Sequence, residues 1–284
     1  MVFFCVFNEI FAKLSCGKSK NVIDFLSKPR YDVYDLKNLM SLLRGPDGCP
    51  WDREQSHESI RRNLLEEAYE AADAIDCGNT GELIEELGDV LMQVVFHADI
   101  AQSIGSFDFY DIADATCKKL IRRHPHVFGD IKADNSRESL TVWDDIKRDE
   151  KHHDTVSDAM SAVAKSLPAL WRAEKIQSKA AKVGFDWPDY TGALNALNAE
   201  LAELEDAVAI NCGIKEELGD ILFSAVNLAR LLGVDPEDAL GEASEKFISR
   251  FAGIESMAAK KGKTPEDLSP EEMEELYQKV KLEK

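Results

Sequence analysis

From residue 35 onward, apolar side chains recur at three- and four-residue intervals, and clusters of Gly, Pro, Asn and Asp punctuate the runs. That period is the period of a helix with one buried face. Leu36, Leu39, Met40 and Leu43 predict a short helix over 35–43, ended by Gly45-Pro46-Asp47-Gly48. A second helix, with Ser56 as its predicted N-cap, runs to about Ile75. A third carries Leu83, Leu87, Val90, Leu91, Val94 and Val95 and ends near Ser103. The turn formers of Asp76-Cys77-Gly78-Asn79-Thr80-Gly81 between them predict that the two fold back as a hairpin. A further helix is predicted from Phe109 to Arg123. Residues 125–156 are polar and heavily charged and read as a linker or insertion. Helical spacing resumes from Ser157 to Ala180, with a break at Leu167-Pro168, and Val183 to Pro188 forms a tryptophan-bearing loop.

Acidic residues interrupt the apolar runs at the same helical spacing. Glu66 and Glu67 share a face with Glu70, and Glu86 shares one with Asp89. Glutamate-rich helices are ordinarily solvated faces. Here Leu64, Leu65, Ala68, Ala71, Ala72 and Ile75 surround the first set, so the acids are expected near a mostly buried face, where each needs a partner. The pattern then recurs. Glu200-x-x-Glu203 stands where Glu67-x-x-Glu70 stood, Glu217 and Asp220 repeat Glu86 and Asp89, and Lys246 and Arg250 parallel Lys119 and Arg123. Ala199 takes the place of Glu66, and Trp187 precedes its acids much as Trp51 does. Solvated faces have no reason to repeat in this order. Four or five carboxylates in one place repel unless a cation lies among them, and so many oxygen donors favour Mg2+ or Mn2+.

Composition narrows the chemistry. The chain has 284 residues, 44% of them hydrophobic and 31% charged, as in an ordinary globular protein, with a formal charge of −19 and a pI near 4.8. Such a surface repels nucleic acid and anionic lipid, so neither is an expected partner. Cys5, Cys16, Cys49, Cys77, Cys117 and Cys212 form no C-x-x-C pair, which fits a reducing cytoplasm. The apolar opening Met1 to Phe7 is cut off by Asn8-Glu9 well short of a membrane span. No G-x-x-x-x-G-K-[ST] is present, so P-loop chemistry is not expected. Trp51 reads as a packing anchor and His97 as a core histidine, in line with Glu86, Asp89 and Gln93. The basic run Lys118 to Arg123 has two readings: a favourable charge at a helix C-terminus, or a grip on phosphate through Lys119 and Arg123.

The order E-E-x-x-E then E-x-x-D is preceded by Gly48-Cys49-Pro50-Trp51-Asp52-Arg53-Glu54-Gln55-Ser56-His57 and followed by His124-Pro125-His126-Val127-Phe128-Gly129-Asp130. This resembles the MazG family of nucleoside triphosphate pyrophosphohydrolases over residues 31–284, and Lys179 to Trp187 is similar to the opening of that family's second domain. The resemblance implies an all-α fold of two tandem helical bundles, 31–130 and 157–284, joined by a charged linker at 131–156, with 1–30 unassigned. It implies Mg2+ dependence, a homodimer or higher homo-oligomer, and hydrolysis of nucleoside triphosphates to the monophosphate and pyrophosphate. Carried over by position, the metal ligands are Glu66, Glu67, Glu70, Glu86 and Asp89 in the first half and Glu200, Glu203, Glu217 and Asp220 in the second. Glu70, Glu86, Asp89, Glu203, Glu217 and Asp220 are the expected catalytic acids. Lys246, Arg250 and Tyr277 match nucleotide-contacting positions of the second domain. Which half turns over substrate stays open, with a modest preference for the second. A di-iron carboxylate bundle would need Glu-x-x-His pairs that neither Glu54/His57 nor Glu150/His153 places correctly. The other alternative is a nucleotide sensor or oligomerisation module without turnover in one or both halves.

Overall fold

The computed structural model describes residue 25, residues 28–150 and residues 155–282. Most of the unassigned 1–30 segment, including Cys5 and Cys16, lies outside the described residues, as does His153. Among the described residues every regular element is helical, as the all-α expectation requires. Two compact units divide between Lys147 and Arg148, inside the stretch 131–156.

The first unit contains α1 (Val33–Arg44), α2 (Pro50–Glu54), α3 (Arg61–Asp76), α4 (Thr80–Ser103), α5 (Phe109–Arg123) and α6 (Pro125–Phe128). It also holds most of α7 (Ser136–Glu150), a helix within the charged stretch. Helices α3 and α4 pair as the hairpin, and α1 packs on α4. Its turn is closed by local chemistry. Gly78 adopts φ +65°, a left-handed conformation that costs glycine little, and Asn79 then caps α4 by accepting from the Gly81 and Glu82 amides. Asp108 opens α5 with a reciprocal capping box to Asp111, fixing the start that the apolar spacing predicted. Met40, Ile60, Val95, Phe96 and Ile100 form the buried core, with Leu36, Met92 and Phe109 against it.

One predicted boundary moves. Ser56 does not cap α3, which begins at Arg61. Ser56 instead organises a separate turn: its hydroxyl accepts from the Ser59 amide (3.3 Å) and its carbonyl from the Ile60 amide (3.3 Å). That turn carries Ile60 into the core and frees His57 to reach α4. Trp51 is likewise not a packing anchor, since the short helix α2 leaves it 59% exposed.

The second unit contains α8 (Val156–Ser161), α9 (Ala169–Ala181), α10 (Tyr190–Ile210), α11 (Ile214–Leu232), α12 (Pro236–Ala259), a 3-10 turn (Pro265–Asp267) and α13 (Pro270–Leu282). Pro168 separates α8 from α9, as predicted. Helices α10 and α11 form the matching hairpin, α9 packs on α11, and α12 packs on α13. A second core gathers Ile254, Ala258, Leu268, Leu276 and Val280 between these last two helices.

Both hairpins are tied to the segment that precedes them, with opposite polarity. In the first unit Arg44 Nε donates to Asp99 of α4 (2.8 Å), Ser41 donates to the same carboxylate (2.6 Å), and the guanidinium lies over Phe96. In the second, Asp186 receives both Nη1 (3.0 Å) and Nη2 of Arg230 on α11. In the register set by Glu86 and Glu217, Asp99 and Arg230 occupy the same position. The two ion pairs share only that position, because Arg44 stands seven residues before Trp51 and Asp186 directly before Trp187.

The crossing of α12 over α13 depends on Gly253, where an added Cβ would lie 2.9 Å from both methyls of Val280. Gly253→Ala is therefore expected to lower stability by about 1–3 kcal/mol. Gly241→Ala in the same helix, with nothing within 4 Å, should raise it by about 0.5–1 kcal/mol. Urea melts of the two variants check the opposite signs.

Candidate functional site

Each hairpin brings three acids together. One carboxylate oxygen from each of Glu67, Glu70 and Glu86 lies within 4.8 Å of the others, and Glu200, Glu203 and Glu217 repeat the arrangement. In both units two acids, one turn apart, come from the first helix of the hairpin and one from the second. Glu67 and Glu86, like Glu200 and Glu217, are half-buried, while Glu70 and Glu203 are exposed.

The remaining predicted ligands sit around these trios. Glu66 is exposed and ion-paired to Arg62 at 2.7 Å, so the difference between Glu66 and Ala199 leaves the three-acid group the same in both units. Asp89 and Asp220 fall outside the trios, yet their charges act on Glu67 and Glu86 and on Glu217. Burial pushes the Glu67 carboxyl above its usual range, with Asp89, Glu70 and Glu66 adding to the rise and a hydrogen bond from Gln93 opposing it. Burial followed by the charge of Glu70 does the same to Glu86, and burial followed by Glu203 does so to Glu217. Burial is the larger cause of all three shifts, and the neighbouring carboxylates add to it in each case.

Among the described residues the apolar side chains near the acids do not close over them. Ile84, Leu87, Leu91, Leu218 and Leu222 are exposed beside the trios, contrary to the mostly buried face expected. Helical spacing reports an apolar face but not what covers it.

Two features beside the first trio were not legible as site chemistry. Gln93, one turn after Asp89 on α4, is 5% exposed; its Nε2 lies 3.5 Å from Glu67 and its Oε1 is buried without a partner among the described residues. A further turn along, His97 Nδ1 meets His57 Nδ1 at 2.8 Å. The two ring planes differ by 10° and the centroids are 5.1 Å apart, which is the N···N distance plus one ring radius at each end. The facing nitrogens therefore point head-on and share one proton as N–H···N, an arrangement that leaves no room for a metal between them. Burial, then the charge of His57, lowers the His97 pKa. His97 was expected in the core; it is instead half-buried at the edge of it, facing His57.

The basic residues are placed on later helices. Arg250 Nη1 donates to the Tyr277 hydroxyl (3.1 Å), the guanidinium lies 5.6 Å from that ring, and Arg250 Nε is buried without a partner among the described residues. Lys246 is exposed one turn earlier on α12. In the first unit Lys119 is exposed, and Arg123 lies over Trp143 of α7 at 5.2 Å.

Comparison with known proteins supplies the context for two such hairpins in one chain. The sequence matches the MazG nucleotide pyrophosphohydrolase domain twice, over residues 55–128 and 190–252. It is 45% identical over 247 residues to the nucleoside triphosphate pyrophosphohydrolase/pyrophosphatase MazG of Thermotoga maritima, covering 87% of this chain and 94% of that protein. The chain belongs to the MazG family. It is also 45% identical over 251 residues to the nucleoside triphosphate pyrophosphohydrolase of Escherichia coli K12, covering 87% of this chain and 95% of that one. Each matched MazG segment contains one complete acid trio.

A raised carboxyl pKa means that the folded state prefers the protonated acid, so this contribution favours folding at low pH. It is lost as pH rises from about 4.3, the unfolded glutamate value, through the higher folded one. With divalent ions chelated at pH 8, the double variant Glu70→Gln/Glu203→Gln is therefore expected to melt above the parent, because one repelling charge has left each trio. Adding Mg2+ should reverse the order by raising only the parent's Tm. Thermal melts by circular dichroism with EDTA and with Mg2+ decide it, and a double variant that melts lower in EDTA would deny the repulsion.

Proposed function

We propose that the chain is a nucleoside triphosphate pyrophosphohydrolase, cleaving its substrate to the monophosphate and pyrophosphate at carboxylate sites that hold Mg2+ or Mn2+. The observation that carries the reading is the convergence, twice, of three glutamates within 4.8 Å in a chain of this family. The donor set fits a hard divalent ion: the ligands are all carboxylate oxygen, and no histidine or cysteine belongs to either trio.

A divalent ion held there supplies charge neutralisation along the triphosphate and a lowered pKa for the attacking water. The protein's own groups do the rest. A carboxylate of the trio, such as Glu217, accepts the water's proton. Lys246 and Arg250 neutralise the phosphate oxygens as pyrophosphate departs. Tyr277 fixes the Arg250 guanidinium through Nη1, and this favours the second unit as the site of turnover. In the first unit Lys119 and Arg123 are the corresponding cations.

Release of pyrophosphate from a set of nucleoside triphosphates with Mg2+, followed for the parent, Glu217→Gln and Glu86→Gln, tests this. Glu217→Gln is expected to lower kcat/KM at least about 100-fold and Glu86→Gln much less. The opposite ranking would move turnover to the first unit, and calorimetric binding with no product in the parent would make the chain a nucleotide sensor instead.

The same reading includes a homodimer or higher homo-oligomer. Leu87 and Leu91 in one unit and Leu218 and Leu222 in the other lie exposed along the acid-bearing helices, and a second copy would cover them. Light scattering is expected to give at least twice the 31.7 kDa chain mass, and Leu87→Glu/Leu222→Glu to shift it toward one chain. A parent that already runs as a single chain would remove this part of the proposal. Among the described residues no helix is long and apolar enough to cross a membrane. The four described cysteines, Cys49, Cys77, Cys117 and Cys212, are free thiols, as a reducing cytoplasm would keep them.

A further inference from the structure

A hydrogen bond between two imidazoles depends on how many protons the pair holds. His57, in the turn that leads into α3, meets His97 of α4 through Nδ1···Nδ1 at 2.8 Å. With both rings neutral, one Nδ1–H donates and the other Nδ1 accepts. One added proton goes to Nε2 of the donor ring and leaves the bond in place, now charge-assisted. A second added proton has to land on the accepting Nδ1. Two N–H groups on two cations then face each other, so the bond is lost and the rings repel.

We infer that the pair is a proton-operated latch, which holds the turn 56–60 on α4 with one added proton or none and releases it when the second arrives. The turn delivers Ile60 to the core and opens the helix that carries Glu66, Glu67 and Glu70, so release loosens that side of the first hairpin. The surroundings do not replace the lost bond. Phe107, from the segment between α4 and α5, lays its ring beside His57 at 6.4 Å, and Asp108 after it is spent on capping α5. Arg44 of α1 and Asp99 of α4 bind each other. Glu58, next to His57 in the turn, accepts from the Ser56 hydroxyl at 2.9 Å. Burial, then the charge of His57, holds His97 below the ordinary histidine value of about 6.5, so the released turn binds the second proton more readily than the closed one. The latch is therefore fully present above pH about 6.5 and is lost as pH falls through the lowered His97 value. It belongs to the first unit alone. Tyr190 stands before Glu200 where His57 stands before Glu67, Leu228 follows Glu217 where His97 follows Glu86, and no histidine occurs from 155 to 284.

The test is amide hydrogen exchange of the full chain at pH 7.5 and pH 5.0, each rate divided by the free-peptide rate at the same pH. Protection of residues 56–62 in the parent is expected to fall about 10-fold for each unit by which the second proton is disfavoured, while residues 190–196 of the second unit stay unchanged. In His57→Gln and in His97→Gln, protection of 56–62 should be the same at both pH values. Carboxylate titration affects the trios of both units, and His124 and His126 remain in both variants, so neither imitates this pattern. Protection of 56–62 that holds at pH 5.0 in the parent, or that falls equally in the variants, would overturn the latch. If the variants do not fold, the ring 15N signals of His57 and His97 in the parent decide: two separate steps, the second below the ordinary histidine value, support the latch, and two coincident steps near it exclude a shared proton.

Discussion

Mutual repulsion among carboxylates is the constraint on which both units turn. Glu67, Glu70 and Glu86, and again Glu200, Glu203 and Glu217, are held within a few ångströms by hairpins whose geometry leaves them little freedom to part. The hairpins can impose this because their closure is local. A left-handed Gly78 with an Asn79 cap turns the first, and Asn211 in a left-handed conformation followed by Gly213 turns the second. Each chain reversal sets two acids of one helix against one acid of the next. Burial and that repulsion together raise the carboxyl pKa values of Glu67, Glu86 and Glu217, a cost that the proposed divalent ion would relieve.

The helices and the trios were legible in the sequence because both depend on short-range chemistry. Apolar spacing found α5 to the residue, and Asp108 explains why, since a capping side chain acts within its own turn. The acids likewise had to converge once the segment 76–81 was read as a reversal. What escaped depends on contacts distant in sequence. The Ser56 hydroxyl could have opened α3, and it was drawn into an earlier turn because Ile60 is needed in the core. His57 and His97 pair only when that turn meets α4, so no spacing announces them. Gln93 falls on the helical line of Glu86 and Asp89, but a glutamine on that line is equally compatible with a core position or an open face. Exposure of Leu87, Leu91, Leu218 and Leu222 was invisible for a different reason: periodicity names the apolar stripe of a helix and is silent about its neighbour.

The two units also show which parts of a duplicated fold are free to drift. The acid trios are unchanged in composition. Around them Glu66 has become Ala199, Gln93 has become Ser224 and the supporting cations sit in different company, Arg123 over Trp143 and Arg250 against Tyr277. The acids stay while the residues around them change, so any difference between the two trios lies in what orients the carboxylates.

The opposite polarity of the Arg44–Asp99 and Asp186–Arg230 pairs carries a consequence for how such a chain finds its fold. Tandem copies of one architecture invite a strand of helices from one copy to dock on the partner element of the other. Had both copies kept the same polarity, that error would find a ready-made ion pair. With polarity inverted, the hairpin of one unit and the segment of the other offer no such pair, since Asp99 and Asp186 are both acids and Arg44 and Arg230 both bases.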